Sequence, residues 1–293
     1  MPDTDKEQLP SSALEPLLNL AIQEDIGEGD LTGNATVSAN QRATAHIVAK
    51  EEVVACGLPI WSDLMNRIAP DTCSLSFMVS EGARATPGTR LATMHGPARA
   101  LLAGERIAMN LICHLTGIAT FTSRFVAIAG ELKVLDTRKT TPGQRLIEKY
   151  AVRIGGGNNH RMSLDTGILI KENHITSCGS LEKALRQAKE IAGQAQVECE
   201  VQNLEELEDA IKGGADAVLL DNMSNEEILE CARLAKARAP GVFVEASGNM
   251  SMERIASLKH LVKEGLHAVS VGALTHSRPY ADLSMLMTLE GSK

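Results

Sequence analysis

Five nitrogen-bearing side chains, Arg138, Lys139, His160, Arg161 and Lys171, fall within one 39-residue stretch, DTRKTTPGQRLIEKYAVRIGGGNNHRMSLDTGILIKENH. The chain around them is acidic, with a net charge of -8. A basic cluster in an acidic chain serves a local purpose. Arginine forks and lysine point charges beside Gly-rich loops suit a small polyanion, such as a di- or tricarboxylate or a phosphorylated sugar. A solvated helix face does not explain cations set beside strand-like and Gly-rich segments. Lys171 also admits a rival chemistry, because a lysine at a barrel strand end is how a Schiff-base aldolase presents its nucleophile. The four neighbouring cations form an anion clamp too rich for a simple carbonyl substrate.

Those residues need elements that aim them at one point. From Lys133 onward, short apolar runs alternate with helical patterns: KVLD, GILIK, QVECEV, AVLLD, VFVEAS and AVSVG are six strand candidates. Helices between them are the mark of parallel βαβ units. Ser224 with Glu227 and Asn203 with Glu206 fit capping boxes, and Ser180 with Lys183 fits a weaker cap. Polar or glycine residues close every apolar run: Asp136 to Lys139, Lys171, Glu200, Asp221, Ser247 with Gly248, and Gly272. Such ends converge on one face of an α/β barrel, whereas an open doubly wound sheet spreads them along a line. Six strands rather than eight imply a TIM-like barrel that is incomplete and open.

Glu200 and Asp221 end neighbouring strands and should point into the barrel mouth, for Mg²⁺ or sugar hydroxyls. Salt bridges to Lys139 or Lys171 are the structural alternative. Glu198 alternates with Glu200 and faces the same side, and pattern alone does not choose between them. EASGNM and SVGALTHS each place Gly or Ser between a strand and a helix, where backbone amides can hold phosphate. GEGDLTG misses the dinucleotide fingerprint, and GGGNNH is no phosphate-binding P-loop. Its glycines suit a tight turn or a close approach to ligand. His174 lies just beyond the pocket. His46, His95, His114, His260 and His267 have no ligand-like partners in the sequence.

Aromatic residues are 2% of the chain, with Trp61 the single tryptophan, so the core must be Leu, Ile, Val, Ala and Met. That paucity and the acidic balance exclude a base-stacking or nucleic-acid surface. The six cysteines form no CxxC pair and read as reduced residues of a cytoplasmic protein. The opening MPDTDKEQLPSS is unlike a signal peptide. No uninterrupted apolar run approaches the roughly 18 residues of a membrane span. Before about Gly117, RATAHIVAKEEVVACG and SLSFMVSEGARATPGTRLATMHG read as antiparallel strands. The second is patterned like the hammerhead of lipoyl domains without the cofactor lysine, hence structural. PARALLAGERIAMNLICHLTGIAT follows as a long amphipathic helix.

The ordered motifs EDIGEGDLT, GERIAMNLICHLTGIAT, DTRKTTPG, EKYAV, GGGNNHR, LIKENHI, ECEV, LLDNM, EASGN and VGALTHS, spanning Glu24 to Ser277, resemble the quinolinate phosphoribosyltransferase family. The departures, LTG where LSG is commoner and SLDTG where members vary, touch no charged contact. The resemblance implies an N-terminal α/β sandwich over residues 1–116, an open α/β barrel over 117–275, and a terminal segment, 276–293, returning to the first domain. It implies transfer of phosphoribosyl from phosphoribosyl pyrophosphate to quinolinate with decarboxylation, Mg²⁺ assisting. By the same resemblance Arg138, Lys139, His160, Arg161 and Lys171 hold the quinolinate carboxylates and the pyrophosphate, with Thr137 beside them. Lys139, Lys171, Glu200 and Asp221 carry the catalysis, and Glu200 and Asp221 engage ribose and Mg²⁺. Ser247, Gly248, Asn249, Val271, Gly272, Ala273 and His276 seat the 5′-phosphate. Arg106 reaches in from the other subunit of a homodimer, with a hexamer left open. A paralogous pyrophosphorylase with another acceptor, the Schiff-base aldolase, and a barrel that merely binds phosphosugars are the competing readings.

Overall fold

The computed structural model describes residues 9–291; the polar opening over residues 1–8 lies outside them. The chain forms two compact units. One comprises residues up to Ser123, Thr141–Gly156 and Ser277 onward; the other comprises Arg124–Thr140 and Gly157–His276.

The first unit holds, among the described residues, a four-stranded antiparallel sheet. Its order is Leu283–Leu289, Arg42–Ala49, Arg90–Pro97 and Ser74–Phe77. Arg42–Ala49 is central, and its alternate residues Ala43, Ala45 and Ile47 are fully buried, as expected for a sheet with one face on a core. Val53–Val54 and Arg84–Ala85 pair as a second, short ribbon. Leu58–Ile68 buries Leu58, Ile60, Trp61, Leu64 and Met65. Gly104 of the long helix Ala98–Ala129 lies against Leu64, Met65 and Ile68 of that shorter helix. By length and composition Ala98–Ala129 is apolar enough to cross a membrane, although no uninterrupted apolar run predicts it. Its most apolar stretch is 67% buried within the protein, as in a core helix.

The second unit is built, among the described residues, on six parallel strands. Their order is Lys133–Leu135, Ala268–Ser270, Phe243–Ser247, Ala217–Asp221, Val197–Val201 and Ile168–Ile170. The chain's first two barrel strands sit at opposite edges and do not pair with each other, so the barrel is open as the six-strand pattern implies. Helices Leu181–Ile191, Leu204–Lys212 and Asn225–Arg238 begin at Ser180, Asn203 and Ser224, whose side chains accept an N–H three residues on. In the last, Glu227 also accepts from Ser224 N–H, completing the capping box. These caps stop each strand-to-helix loop at a fixed point.

GQRLIEKYAVRI reads in the sequence as the crossover helix after the first barrel strand. The structure instead includes Arg145–Ile154 in the first unit, where it buries Ile147, Tyr150, Ala151, Val152 and Ile154. With that helix committed elsewhere, the edge strand Lys133–Leu135 is extended by GGGNNHR. Asn158 bridges Leu135 in parallel, its N–H donating to Val134 O at 2.8 Å and its carbonyl accepting from Asp136 N–H at 3.1 Å. Gly155 approaches the long helix closely; a Cβ there would lie 2.5 Å from Ala119 O.

Candidate active site

Parallel pairing sets the strand ends side by side. Ser247 is in register with Asp221, and Glu200 with Leu219 two residues before that aspartate. Lys171 directly follows the buried Ile170, and its ammonium donates to Glu200 Oε2. Lys171 and Glu200 therefore meet as the sequence allows, and the contact suits an ammonium better than a Schiff-base nucleophile. Asp221 accepts from Asn222 Nδ2 at 2.8 Å. Glu200 and Asp221 are both partly exposed. They supply hard oxygen donors of the kind Mg²⁺ uses, one or two carboxylates completed by substrate phosphates.

At the open edge Asp136 is fully buried and organises the clamp loop. Its Oδ1 accepts the His160 N–H at 2.9 Å, and its Oδ2 accepts from Asn159 Nδ2. Arg161 donates from Nη1 to Gly167 O at 2.8 Å. Burial first, and the nearby Arg138 guanidinium second, make Arg161 less willing to hold its charge. The Glu198 carboxylate offsets part of that repulsion.

Thr137 Oγ1 accepts the Lys139 N–H at 3.0 Å, and Thr275 Oγ1 donates to Lys139 O at 2.8 Å. Lys139 is exposed, and its stem passes Gly272, where an added Cβ would lie 3.3 Å from Lys139 Cδ and 3.0 Å from His276 Nε2. The Val271–His276 loop and the DTRK loop are thus one construction. Val271 is buried behind it, and Ala273 starts the four-residue helix Ala273–His276.

Beside it, Gly248 has φ +92° and Asn249 φ +49°, with Asn222 at φ +56° on the neighbouring strand end. Gly248 has no room for a side chain, because Asn222 fills the position of its Cβ. Arg254 ties both turns together by donating to Gly248 O at 2.6 Å, to Met223 O, and to Asn225 Oδ1 at 3.2 Å. The result is two adjoining turns, at Asn222 and at Gly248–Asn249, held by one arginine.

His160 faces inward. Its Nε2 lies 3.0 Å from Glu198 Oε2 and 3.8 Å from Glu245 Oε1. Glu245, inside VFVEAS, is absent from the sequence reading. An acid two residues before Ser247 repeats the Glu198–Glu200 alternation and was the available signal. These three residues bring ligand-type atoms within 4.8 Å of one another. His174 supports the neighbouring strand end by accepting the Lys171 N–H at 3.0 Å. Arg106 is exposed on the long helix of the first unit.

Residues 30–116 match the model of the quinolinate phosphoribosyl transferase N-terminal domain, and residues 118–286 match that of its C-terminal domain. The chain belongs to the quinolinate phosphoribosyl transferase family. A Bacillus subtilis member, a probable nicotinate-nucleotide pyrophosphorylase (carboxylating), is 41% identical over 94% of each chain. The nicotinate-nucleotide pyrophosphorylase (carboxylating) of Homo sapiens is 36% identical over 94% of this chain and 92% of its own. The crystal structure of NadC from Streptococcus pyogenes superposes with a TM-score of 0.90 at 37% identity, covering 97% of this chain and 99% of that one. Within this phosphoribosyl transferase fold, Lys171, Glu200, Asp221, Ser247 and Gly272 lie at or just past the ends of strands of one parallel sheet.

Proposed function

We propose that this chain transfers phosphoribosyl from phosphoribosyl pyrophosphate to quinolinate and releases pyrophosphate and CO₂, forming nicotinate mononucleotide for NAD biosynthesis. The reading is supported by Arg138 lying close enough to Arg161 to lower its hold on charge, in a family whose relatives are nicotinate-nucleotide pyrophosphorylases (carboxylating). Arg138, Arg161 and Lys171 hold the two ring carboxylates, and bidentate arginines fix the plane of the pyridine. Ser247, Gly248, Asn249, Val271, Gly272, Ala273 and His276 hold the 5′-phosphate. Lys139, lying beside Gly272 with Thr137 bonded to its N–H, faces the pyrophosphate.

The bond from ribose C1′ to the pyrophosphate oxygen breaks and the pyridine nitrogen bonds to C1′. Glu200 and Asp221 hold the ribose hydroxyls and offset the positive charge that develops on the ring. Glu200 and Asp221 would hold Mg²⁺, which when bound would supply positive charge to offset that of the leaving pyrophosphate. The pyridinium then accepts the electron pair left when the 2-carboxylate departs as CO₂, and C2 takes up a proton. The chain needs no covalent nucleophile, only positioning, which itself can lower a barrier by several kcal/mol.

The protein works as a homodimer in the cytoplasm, a reducing compartment that suits its six free cysteines. Arg106 of the partner subunit completes each clamp. Two measurements test this. Purified protein with Mg²⁺ should consume quinolinate and release CO₂, while nicotinate, lacking the 2-carboxylate, turns over poorly because clamp donors stay unpaired. Equal turnover of the two acids overturns the assignment. Mixing inactive Arg106→Ala with inactive Lys139→Ala subunits should restore part of the activity; exchange of subunits without recovery removes the shared site.

A further inference from the structure

His160 has both ring nitrogens engaged inside the protein. Arg161 donates its backbone N–H to Nδ1 at 2.7 Å. A nitrogen that accepts carries no proton, so the ring proton is on Nε2 and points at Glu198. The backbone on either side is fixed too, because Asp136 accepts the His160 N–H. Beneath the ring lies Glu245, 1% exposed, whose Oε1 accepts from Ser270 Oγ at 2.8 Å. Burial first, and the Glu198 carboxylate second, push Glu245 up to about 8, while His160, Ser270 and Lys171 pull the other way.

We propose that His160 serves the quinolinate pocket as a neutral imidazole protonated at Nε2, backed by Glu245 as an uncharged acid, both being positioning residues. Arg138, Lys139, Arg161 and Lys171 then carry the clamp's positive charge, and His160 gives it shape. A charged imidazole would have to break the Arg161 N–H bond, because both of its nitrogens would be donors. The remaining charged groups at this face are spoken for: Lys171 with Glu200, Asp221 with Asn222, and Asp136 with Asn159. A neutral ring adds no charge of its own and sets the depth at which the substrate's carboxylates stop.

The link to quinolinate rests on the proposed reaction; the protonation state does not. In the full chain, ¹⁵N–¹H correlations of the ring nitrogens, with His160 identified by its loss in His160→Gln, should show one bare and one protonated nitrogen across about pH 5 to 8. A doubly protonated His160 ring within that range overturns the inference whether or not the protein turns over quinolinate. Glu245→Ala should raise the KM for quinolinate roughly tenfold or more with a smaller change in kcat, and the isosteric Glu245→Gln should rescue it. Equal damage from Gln and Ala shows that a charge, not a neutral acid, is needed, and sinks the proposal. A wild-type chain inert toward quinolinate but with a neutral His160 would instead remove the reaction and leave the protonation state standing.

Discussion

Among the described residues each compact unit contains a His–Glu pair at 3.0 Å, and the two pairs are bonded alike but do different work. In the first unit His114 Nε2 faces Glu148 Oε1, and Arg278 donates to the opposite ring nitrogen, Nδ1. Glu148's other oxygen accepts the Thr141 N–H at 3.0 Å, and its carboxylate is wholly buried. In the second unit a backbone N–H takes the place of the arginine at Nδ1, and the glutamate's company is another carboxyl, Glu245. The first pair is closed by a cation and two donors, so it stabilises. The second has a further acid beside it and is more open, with the His160 side chain 14% exposed against 4% for His114. That openness is what an anion pocket can use. The chemistry of a His–Glu pair is set by the third and fourth groups around it.

Breaking the closed pair should give the largest effect. Glu148→Ala leaves the His114 Nε2–H and the Thr141 N–H without acceptors and Arg278 facing a ring that has lost its anchor. The cost should be about 3 kcal/mol or more of folding stability, read as a lowered urea midpoint. Saturating substrate should stabilise wild type and Glu148→Ala alike and leave the difference between them unchanged. A loss below about 1 kcal/mol would show that the site relaxes or hydrates, and the contrast between the units would fail.

Much of the second unit was legible because parallel strands end where their apolar runs end. Glu200, Asp221, Ser247 and Gly272 each mark such an end, and the caps at Ser180, Asn203 and Ser224 are local signals that needed no tertiary knowledge. Glu198 was legible as sharing a side with Glu200. Glu245 shows in the sequence only as an acid alternating with Ser247, because its meaning depends on the strand order that brings it within reach of Glu198, 47 positions away. His114 escaped for the same reason: its partners Glu148 and Arg278 are 34 and 164 residues distant. Periodicity showed that Arg145–Ile154 is a helix but could not say which unit buries it. In the sequence the glycines of GGGNNHR suit a close approach to ligand or a tight turn. Gly156, with φ +89°, is such a turn, while Gly155 answers to packing on the long helix.

The open pair should reveal itself through pH. Glu245 has an ordinary value of 4.5 and is pushed up to about 8 when folded. Between those values the native chain holds a proton that the unfolded chain has released, so stability falls as pH rises through the window. Glu245→Gln removes this term. Its urea midpoint relative to wild type should therefore be higher at pH 8 than at pH 5. Glu81 in the first unit is also raised, by burial first, but it is present in both proteins and cancels from the difference. A difference that is flat, or that slopes the other way, would mean Glu245 is ionised throughout, and the two pairs would then be electrostatically alike.

The smallest effect should come from Ser270→Ala. Ser270 is 4% exposed, and its hydroxyl donates to Glu245 Oε1. Loss of one neutral hydrogen bond should cost about 1 kcal/mol at pH 5, where the acid is protonated. The same bond becomes charge-assisted once Glu245 ionises, and such bonds are roughly twice as strong. The substitution should therefore cost more above pH 8 than at pH 5, and it should push Glu245 still higher, because this hydroxyl pulls it down. The closed pair offers the control, since Thr141 donates to Glu148 through its backbone and no side-chain change there should show the same dependence. If Ser270→Ala cost the same at both pH values, the group beneath His160 would not titrate, and its difference from Glu148 would be one of place alone.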